Sequence, residues 1–208
     1  MQKFIKGDRE VTLVAESRRQ KLIEYLTEMG VYGPAFQRVI EFLYEKTDYF
    51  YGPSSTKWHA AYPGGGFDHA FGVTECLVEL THKGVCKPWQ RVVSPFIVGL
   101  LHDVTKLGAY LKRERVNTIT GGIDSWYEYN PNHHKLSDIH GEDSLLKILY
   151  HMPLTEEEQL CIRWHMGAYE GKDSWAGYDE AIRKFPNVLW THTADMYASK
   201  VMEERNEK

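Results

Sequence analysis

The stretch Leu100-Leu101-His102-Asp103-Val104-Thr105-Lys106-Leu107-Gly108 places a histidine and an aspartate directly after an apolar run. That run, Pro95-Phe96-Ile97-Val98-Gly99-Leu100-Leu101, predicts a buried helix that ends at the pair. An imidazole and a carboxylate are costly to bury alone, and a divalent metal ion is a partner that suits both. Lys106 follows three residues later, where it could contact a phosphate group. The stretch therefore predicts a metal site, provided that other segments supply further ligands.

Composition indicates a globular protein with a packed core. The chain has 208 residues and is 42% hydrophobic, which is too apolar for disorder and suits a single domain over residues 1–208. The formal net charge of −4 argues against a protein that coats polyanions. Three widely spaced cysteines favour neither a disulfide framework nor a zinc finger. With no apolar run of about 18 residues and no signal core, we predict a cytoplasmic protein without membrane contact.

The pattern of apolar residues predicts an all-α fold with a small β-hairpin excursion around residues 115–129, turning at Gly121-Gly122. Helices are predicted over residues 17–29, 34–48, 67–83, 88–101, 140–152, 156–165, 180–185 and 186–204. Pro95 interrupts the fourth of these, so a kink or a helix start is expected near Ser94. Residues 1–50 are interpreted as a helical N-terminal extension packed on the domain. The first 14 residues of that extension fit either a short strand or a loosely attached arm.

Further polar residues that could bind metal lie at predicted helix ends or within an apolar helix, as inward-pointing ligands do in helical bundles. Together with the opening pair, the candidate ligands are His69, His102, Asp103, His140, His165 and Asp195. Nitrogen and oxygen ligands without cysteine suit Mn, Fe, Co, Ni or Zn. Six ligands exceed what one catalytic ion with open positions needs, so they favour two divalent transition metals sharing a carboxylate. His192 is expected to pack or to support a ligand rather than to bind metal.

This ordered set resembles the HD-domain superfamily of metal-dependent phosphohydrolases, in the branch with two additional histidines. Gly64-Gly65-Gly66-Phe67-Asp68-His69 resembles the Gly-Gly-x-x-Glu-His segment of that branch, and Leu100 to Lys106 resembles its Leu-Leu-His-Asp-Ile-Gly-Lys segment. His192-Thr193-Ala194-Asp195, followed by Ser199-Lys200, resembles its His-x-Ala-Asp segment and the Ala-Lys after it. Two residues depart from the pattern: Thr105 replaces Gly, and Asp68 replaces Glu.

The resemblance implies a helical bundle and a role for each ligand. Asp103 would bridge the two ions, with His69, His102 and Asp195 completing one ion and His140 and His165 completing the other. Asp103 and Lys106 would be the catalytic residues, the lysine offsetting charge on the phosphoryl oxygens. Candidate substrate-binding residues are Lys106, His59, Arg113 and Arg115.

The expected activity is hydrolysis of a phosphoester in a nucleotide or nucleotide-like substrate. Pro53 to His59 also resembles a segment of HD-domain 3′→5′ exoribonucleases, so cleavage of short oligonucleotides is an alternative. A polynucleotide is not favoured, because the N-terminal 50 residues are too short for the oligonucleotide-binding domain of those relatives. Two further alternatives are a regulatory module that binds a nucleotide without hydrolysing it, and a di-iron oxygenase on an HD-like bundle. Lys106 and the flanking motifs favour phosphate over the oxygenase.

Overall fold

The computed structural model describes residues 9–202, which form eight α-helices and one two-stranded antiparallel sheet. The predicted all-α fold with a small hairpin is confirmed. In chain order the elements are α1 (Arg9–Glu28), α2 (Pro34–Lys46), α3 (Gly65–His82), α4 (Ser94–Leu101), β1 (Tyr110–Val116), β2 (Ile123–Tyr129), α5 (His140–Leu149), α6 (Glu156–Arg163), α7 (Trp175–Lys184) and α8 (Asn187–Tyr197). A π-helical turn, Ala198–Met202, follows α8. None of the helices in this described part is both long and apolar enough to cross a bilayer.

The chain divides into two compact units, and it passes between them after Asp68, Thr105 and His134. Among the described residues, the first unit comprises residues 9–68 and 106–134, and the second comprises residues 69–105 and 135–202. The single domain over residues 1–208, with residues 1–50 packed on it, stays a prediction. The first eight residues of that extension lie outside the described part.

In the first unit, α1 and α2 contact each other through apolar stripes. Leu22 and Leu26 of α1 are at most 1% exposed, which stabilises the pair by about 1.5–3 kcal/mol for each leucine. Helix α1 already includes Arg9, two turns before the predicted start at Ser17, so residues 9–14 are helical rather than a strand or an arm. The reason is that the residues between them include good helix formers and no Gly or Pro, so the helix continues beyond its apolar stripe.

The hairpin also lies in the first unit and begins earlier than predicted. Strand β1 starts at Tyr110, which pairs with Tyr129, while Val116 pairs with Ile123 next to the turn. The basic cluster after Gly108 is therefore the first strand itself. Most side chains on both faces of the hairpin are exposed, so the sequence lacks the alternation of apolar and polar residues that indicates a half-buried strand.

In the second unit, α4 is the central helix, and all eight of its residues are buried. Its start at Ser94 agrees with the break expected from Pro95. Glu158 anchors the beginning of α4, because its buried carboxylate accepts hydrogen bonds from Arg91 and from the Ser94 hydroxyl (2.7 Å). The same carboxylate accepts the backbone N–H of Thr155 (2.8 Å) as part of the capping box of α6. One buried carboxylate thus fixes the starts of α4 and α6.

Candidate metal centre

All six predicted ligands belong to the second unit, and helix ends position most of them. His69 lies near the start of α3, His102 and Asp103 follow α4, and His140 is the first residue of α5. His165 follows the end of α6 by two residues, and Asp195 lies in the last turn of α8. Five short segments that are far apart in sequence thus bring their polar side chains to one place.

The carboxylate of Asp103 lies between two pairs of imidazoles. Its Oδ1 is 2.7 Å from His140 Nε2 and 3.5 Å from His165 Nε2. Its Oδ2 is 3.6 Å from the Nε2 atoms of both His69 and His102. Each oxygen therefore faces a different histidine pair, which is the arrangement that a bridging carboxylate needs.

Asp195 completes the group around His69 and His102. Its Oδ1 is 3.1 Å from His69 Nε2 and 3.9 Å from His102 Nε2, and these two nitrogens are 3.3 Å apart. Among the described residues, two sets of three side chains have ligand atoms within 4.8 Å of one another and could hold a metal ion. The sets are His69, His102 and Asp195, and His102, Asp103 and His165. His140 belongs to neither set, although it contacts Asp103.

Hydrogen bonds to the backbone fix the orientation of two of the imidazoles. His102 Nδ1 donates to the carbonyl of Gly99 (2.8 Å), and His165 Nδ1 donates to the carbonyl of Ile162 (2.7 Å). A carbonyl can only accept, so the neutral rings direct the Nε2 lone pairs towards the centre. His165 Nε2 is buried and has no hydrogen-bond partner among the described residues, with Asp103 Oδ1 3.5 Å away. Converging lone pairs and carboxylates fit a cation, so the residues present fit a metal.

Burial controls the charge of the centre. Burial lowers the pKa of His102 to about 4, so this imidazole is neutral and able to bind metal at neutral pH. Burial also disfavours the charged forms of Asp195 and His165, but interactions with neighbouring residues have the larger effect on their pKa values. The hydrogen bond from His69 holds the pKa of Asp195 below its usual range, and the Asp103 carboxylate raises the pKa of His165. The carboxylates of the centre therefore favour positive charge beside them, as a bound cation would supply.

Exposure differs across the centre. The histidines His69, His102 and His165 are at most 1% exposed. The side chains of Asp103 and Asp195 are 12% and 15% exposed, and that of His140 is 31% exposed. The partly exposed ligands mark the side of the centre that water reaches.

Two glycines allow the helices to approach closely enough to form the centre. A Cβ on Gly99 of α4 would lie 2.6 Å from the Cα of Thr74 on α3, a contact that real Cβ atoms do not make. A Cβ on Gly141 of α5 would lie 2.7 Å from the carbonyl carbon of Arg163 at the end of α6. The first contact adjoins His102, and the second lies between His140 and His165. Small residues therefore determine which ligands meet.

Some of the residues that support the candidate ligands were not predicted from the sequence. Thr105 contacts Asp143, Ser144 and Lys147 of α5, although its presence in place of Gly had no explanation from the sequence alone. His192, which the sequence predicts to pack or to support a ligand, donates from Nδ1 to the carbonyl of His165 (2.7 Å). The only signal for Asp143 was its position in the first turn of the helix that His140 begins.

The four predicted substrate-binding residues lie in the first unit. Lys106 Nζ is 3.3 Å from Ser54 Oγ. On β1, Arg113 pairs with Glu128 (2.9 Å) and Arg115 pairs with Asp124 (3.4 Å), so hairpin carboxylates balance both charges. The carbonyl of His59 accepts a hydrogen bond from Ser55 Oγ (2.8 Å) within the loop before α3. Their roles towards a substrate stay predictions.

Comparisons of the chain with protein-family models, with curated proteins and with solved structures gave no match. The resemblance to the HD-domain superfamily accordingly stays a prediction, which rests on the ordered ligand set and its flanking segments.

Proposed function

We propose that the chain is an HD-type phosphohydrolase that uses two divalent metal ions to hydrolyse a phosphoester in a nucleotide or nucleotide-like substrate. One observation carries the proposal: Oδ1 and Oδ2 of Asp103 face two different histidine pairs. A carboxylate that served a single ion, or only a hydrogen bond, would not need both oxygens directed at separate pairs.

In this proposal the candidate ligands divide between two ions. His69, His102 and Asp195 would hold one ion together with Asp103 Oδ2, while His140 and His165 would hold the other together with Asp103 Oδ1. Imidazole and carboxylate ligands of this kind suit Mn, Fe, Co, Ni or Zn. When bound, such ions polarise a phosphoryl group and lower the pKa of water towards neutrality.

The charge of the centre favours an anionic substrate. Asp103 and Asp195 supply two negative charges, which leave two divalent ions with a net positive charge. A phosphoester offsets that charge, whereas a neutral substrate does not. In this proposal Asp103 holds both ions in place. Lys106 donates to the phosphoryl oxygens and stabilises the charge that develops there during hydrolysis.

The test combines metal analysis with a substrate screen. The purified protein, with Mn, Fe, Ni or Co added, is assayed against an aryl phosphate, nucleotides and short oligonucleotides. We expect about two ions per chain and turnover of a nucleotide. Asp103→Asn should lose both bound metal and hydrolysis. Asp179→Asn, which changes an exposed carboxylate on α7, should lose neither.

Other outcomes of the screen would contradict the proposal. Hydrolysis by metal-free protein would exclude a metal-dependent mechanism. Tight nucleotide binding without turnover would favour a nucleotide-binding module, and turnover confined to oligonucleotides would favour the exonuclease.

A further inference from the structure

Thr105 is bound to α5 through its side chain and through both of its backbone polar groups. Its hydroxyl donates to Oδ2 of Asp143, and its N–H donates to Ser144 Oγ (3.2 Å). Its carbonyl accepts a hydrogen bond from Lys147 Nζ (3.4 Å). Thr105 is 4% exposed, and Asp143 and Ser144 are fully buried. Water therefore does not compete for these hydrogen bonds.

Asp143 extends this network to the segment before α5. Its Oδ1 accepts the backbone N–H groups of Leu136 (2.5 Å) and Ser137 (3.3 Å). Lys147 Nζ lies 2.8 Å from Asp143 Oδ2 and compensates the buried negative charge. A buried carboxylate is tolerated only when it is paired in this way. The buried Asp143 carboxylate thus holds together three parts of the chain: the turn that contains Thr105, the segment before α5, and α5 itself.

Each side of the network carries a candidate ligand. Asp103 precedes Thr105 by two residues, and His140 precedes Asp143 by three. The side chains of these two ligands are 2.7 Å apart. We infer that Thr105 is a positioning residue for the centre: its hydroxyl, through Asp143, fixes the Asp103 segment against the start of α5. The inference rests on the metal centre of the proposed function.

The departure from the HD-type pattern gains a physical explanation from this contact. A glycine at position 105 has no side chain and could not donate to Asp143. A valine would fill the same space as threonine but would leave Asp143 Oδ2 without its hydroxyl donor, and the loss of a buried donor is costly. A serine would keep the donor.

The experiment compares Thr105→Val with Thr105→Ser and measures Mn²⁺ binding by titration calorimetry and hydrolysis of an aryl phosphate. Thr105→Val should weaken Mn²⁺ binding by about 10–100-fold, as is typical when a hydrogen bond behind a metal ligand is lost. Thr105→Ser should retain the wild-type affinity. Thr27→Val is the control, because the Thr27 hydroxyl on α1 donates to the carbonyl of Ile23 of its own helix (2.7 Å).

A second variant keeps the inference testable if Thr105→Val does not fold. Asp143→Asn replaces one acceptor oxygen of the same contact with an amide and should also weaken Mn²⁺ binding. Equal Mn²⁺ affinity in the Val and Ser variants, or wild-type affinity in Asp143→Asn, would overturn the inference. A wild-type protein that binds none of Mn, Fe, Co, Ni and Zn would instead overturn the proposed function, on which the inference depends.

Discussion

Gly141 packs directly against the carbonyl group of Arg163, with no space for a side chain between them. A Cβ on Gly141 would lie 2.7 Å from the Arg163 carbonyl carbon and 3.0 Å from the carbonyl oxygen of Ile162. These are backbone atoms, so they cannot move aside as the end of a flexible side chain can. The contact joins the start of α5 to the end of α6, and therefore joins His140 to His165.

Gly141→Ala should force these two helix ends apart. Inserting a methyl group into a packed contact typically costs about 1–3 kcal/mol, and we expect a loss of this size in the free energy of unfolding by urea. Metal binding should weaken as well, because His140 and His165 separate. Gly33→Ala is the control, since a Cβ on Gly33 would meet no atom within 4 Å. An equal effect of the two substitutions on metal affinity would contradict this account.

The metal-free protein should lose stability as the pH falls from about 6.5 to about 4. Burial lowers the pKa of His102 to about 4, whereas an unfolded chain protonates histidine near pH 6.5. The unfolded state therefore binds the proton first, and the stability contributed by neutral His102 is present above pH 6.5 and lost below it. Between pH 7 and pH 5 the expected loss in the free energy of unfolding is on the order of 2 kcal/mol.

Two neighbouring groups, His165 and Asp195, affect the free energy of unfolding mainly outside that pH range. His165 has a raised pKa, so it favours folding below its folded pKa and loses this contribution as the pH rises above 6.5. Asp195 has a lowered pKa, so it loses its contribution below about pH 4. Urea unfolding at pH 7 and pH 5 measures the effect. In His102→Gln the free energy of unfolding should differ less between pH 7 and pH 5. An unchanged difference would show that another group causes the pH dependence.

Glu158→Ala should destabilise the second unit strongly. It leaves the buried Ser94 hydroxyl and the backbone N–H of Thr155, the residue before α6, without their acceptor, and it removes the partner of Arg91. Breaking a buried ion pair from one side typically costs about 3–5 kcal/mol. Glu79→Ala, which removes an exposed ion pair with Lys83, should cause no measurable change in the urea midpoint. A similarly small effect for Glu158→Ala would mean that water replaces the carboxylate.

Three of the candidate ligands could be predicted from sequence because each is a polar residue that interrupts an apolar pattern. His102 and Asp103 end an apolar run, and Asp195 lies within an apolar helix, so both positions are visible without knowledge of distant contacts. Most helix positions also followed from local periodicity, although α1 and α7 extend further towards the N-terminus than predicted.

The supporting contacts were not predictable, because they join residues that are far apart in sequence. Thr105 meets Asp143 across 38 positions, and no property of either residue indicates the other. The hairpin start at Tyr110 was missed for a different reason. Charged residues occupy both faces of β1, so the alternation that indicates a strand is absent.

The order in which the chain is synthesised restricts when the centre can form. Asp195 lies on α8, and the hairpin of the first unit is translated between the segments that carry Asp103 and His140. A nascent chain that has emerged only as far as α7 holds five of the candidate ligands but lacks Asp195. Binding of the ion that Asp195 would hold is therefore expected to be a late event that follows release of α8 from the ribosome, rather than a step that nucleates folding.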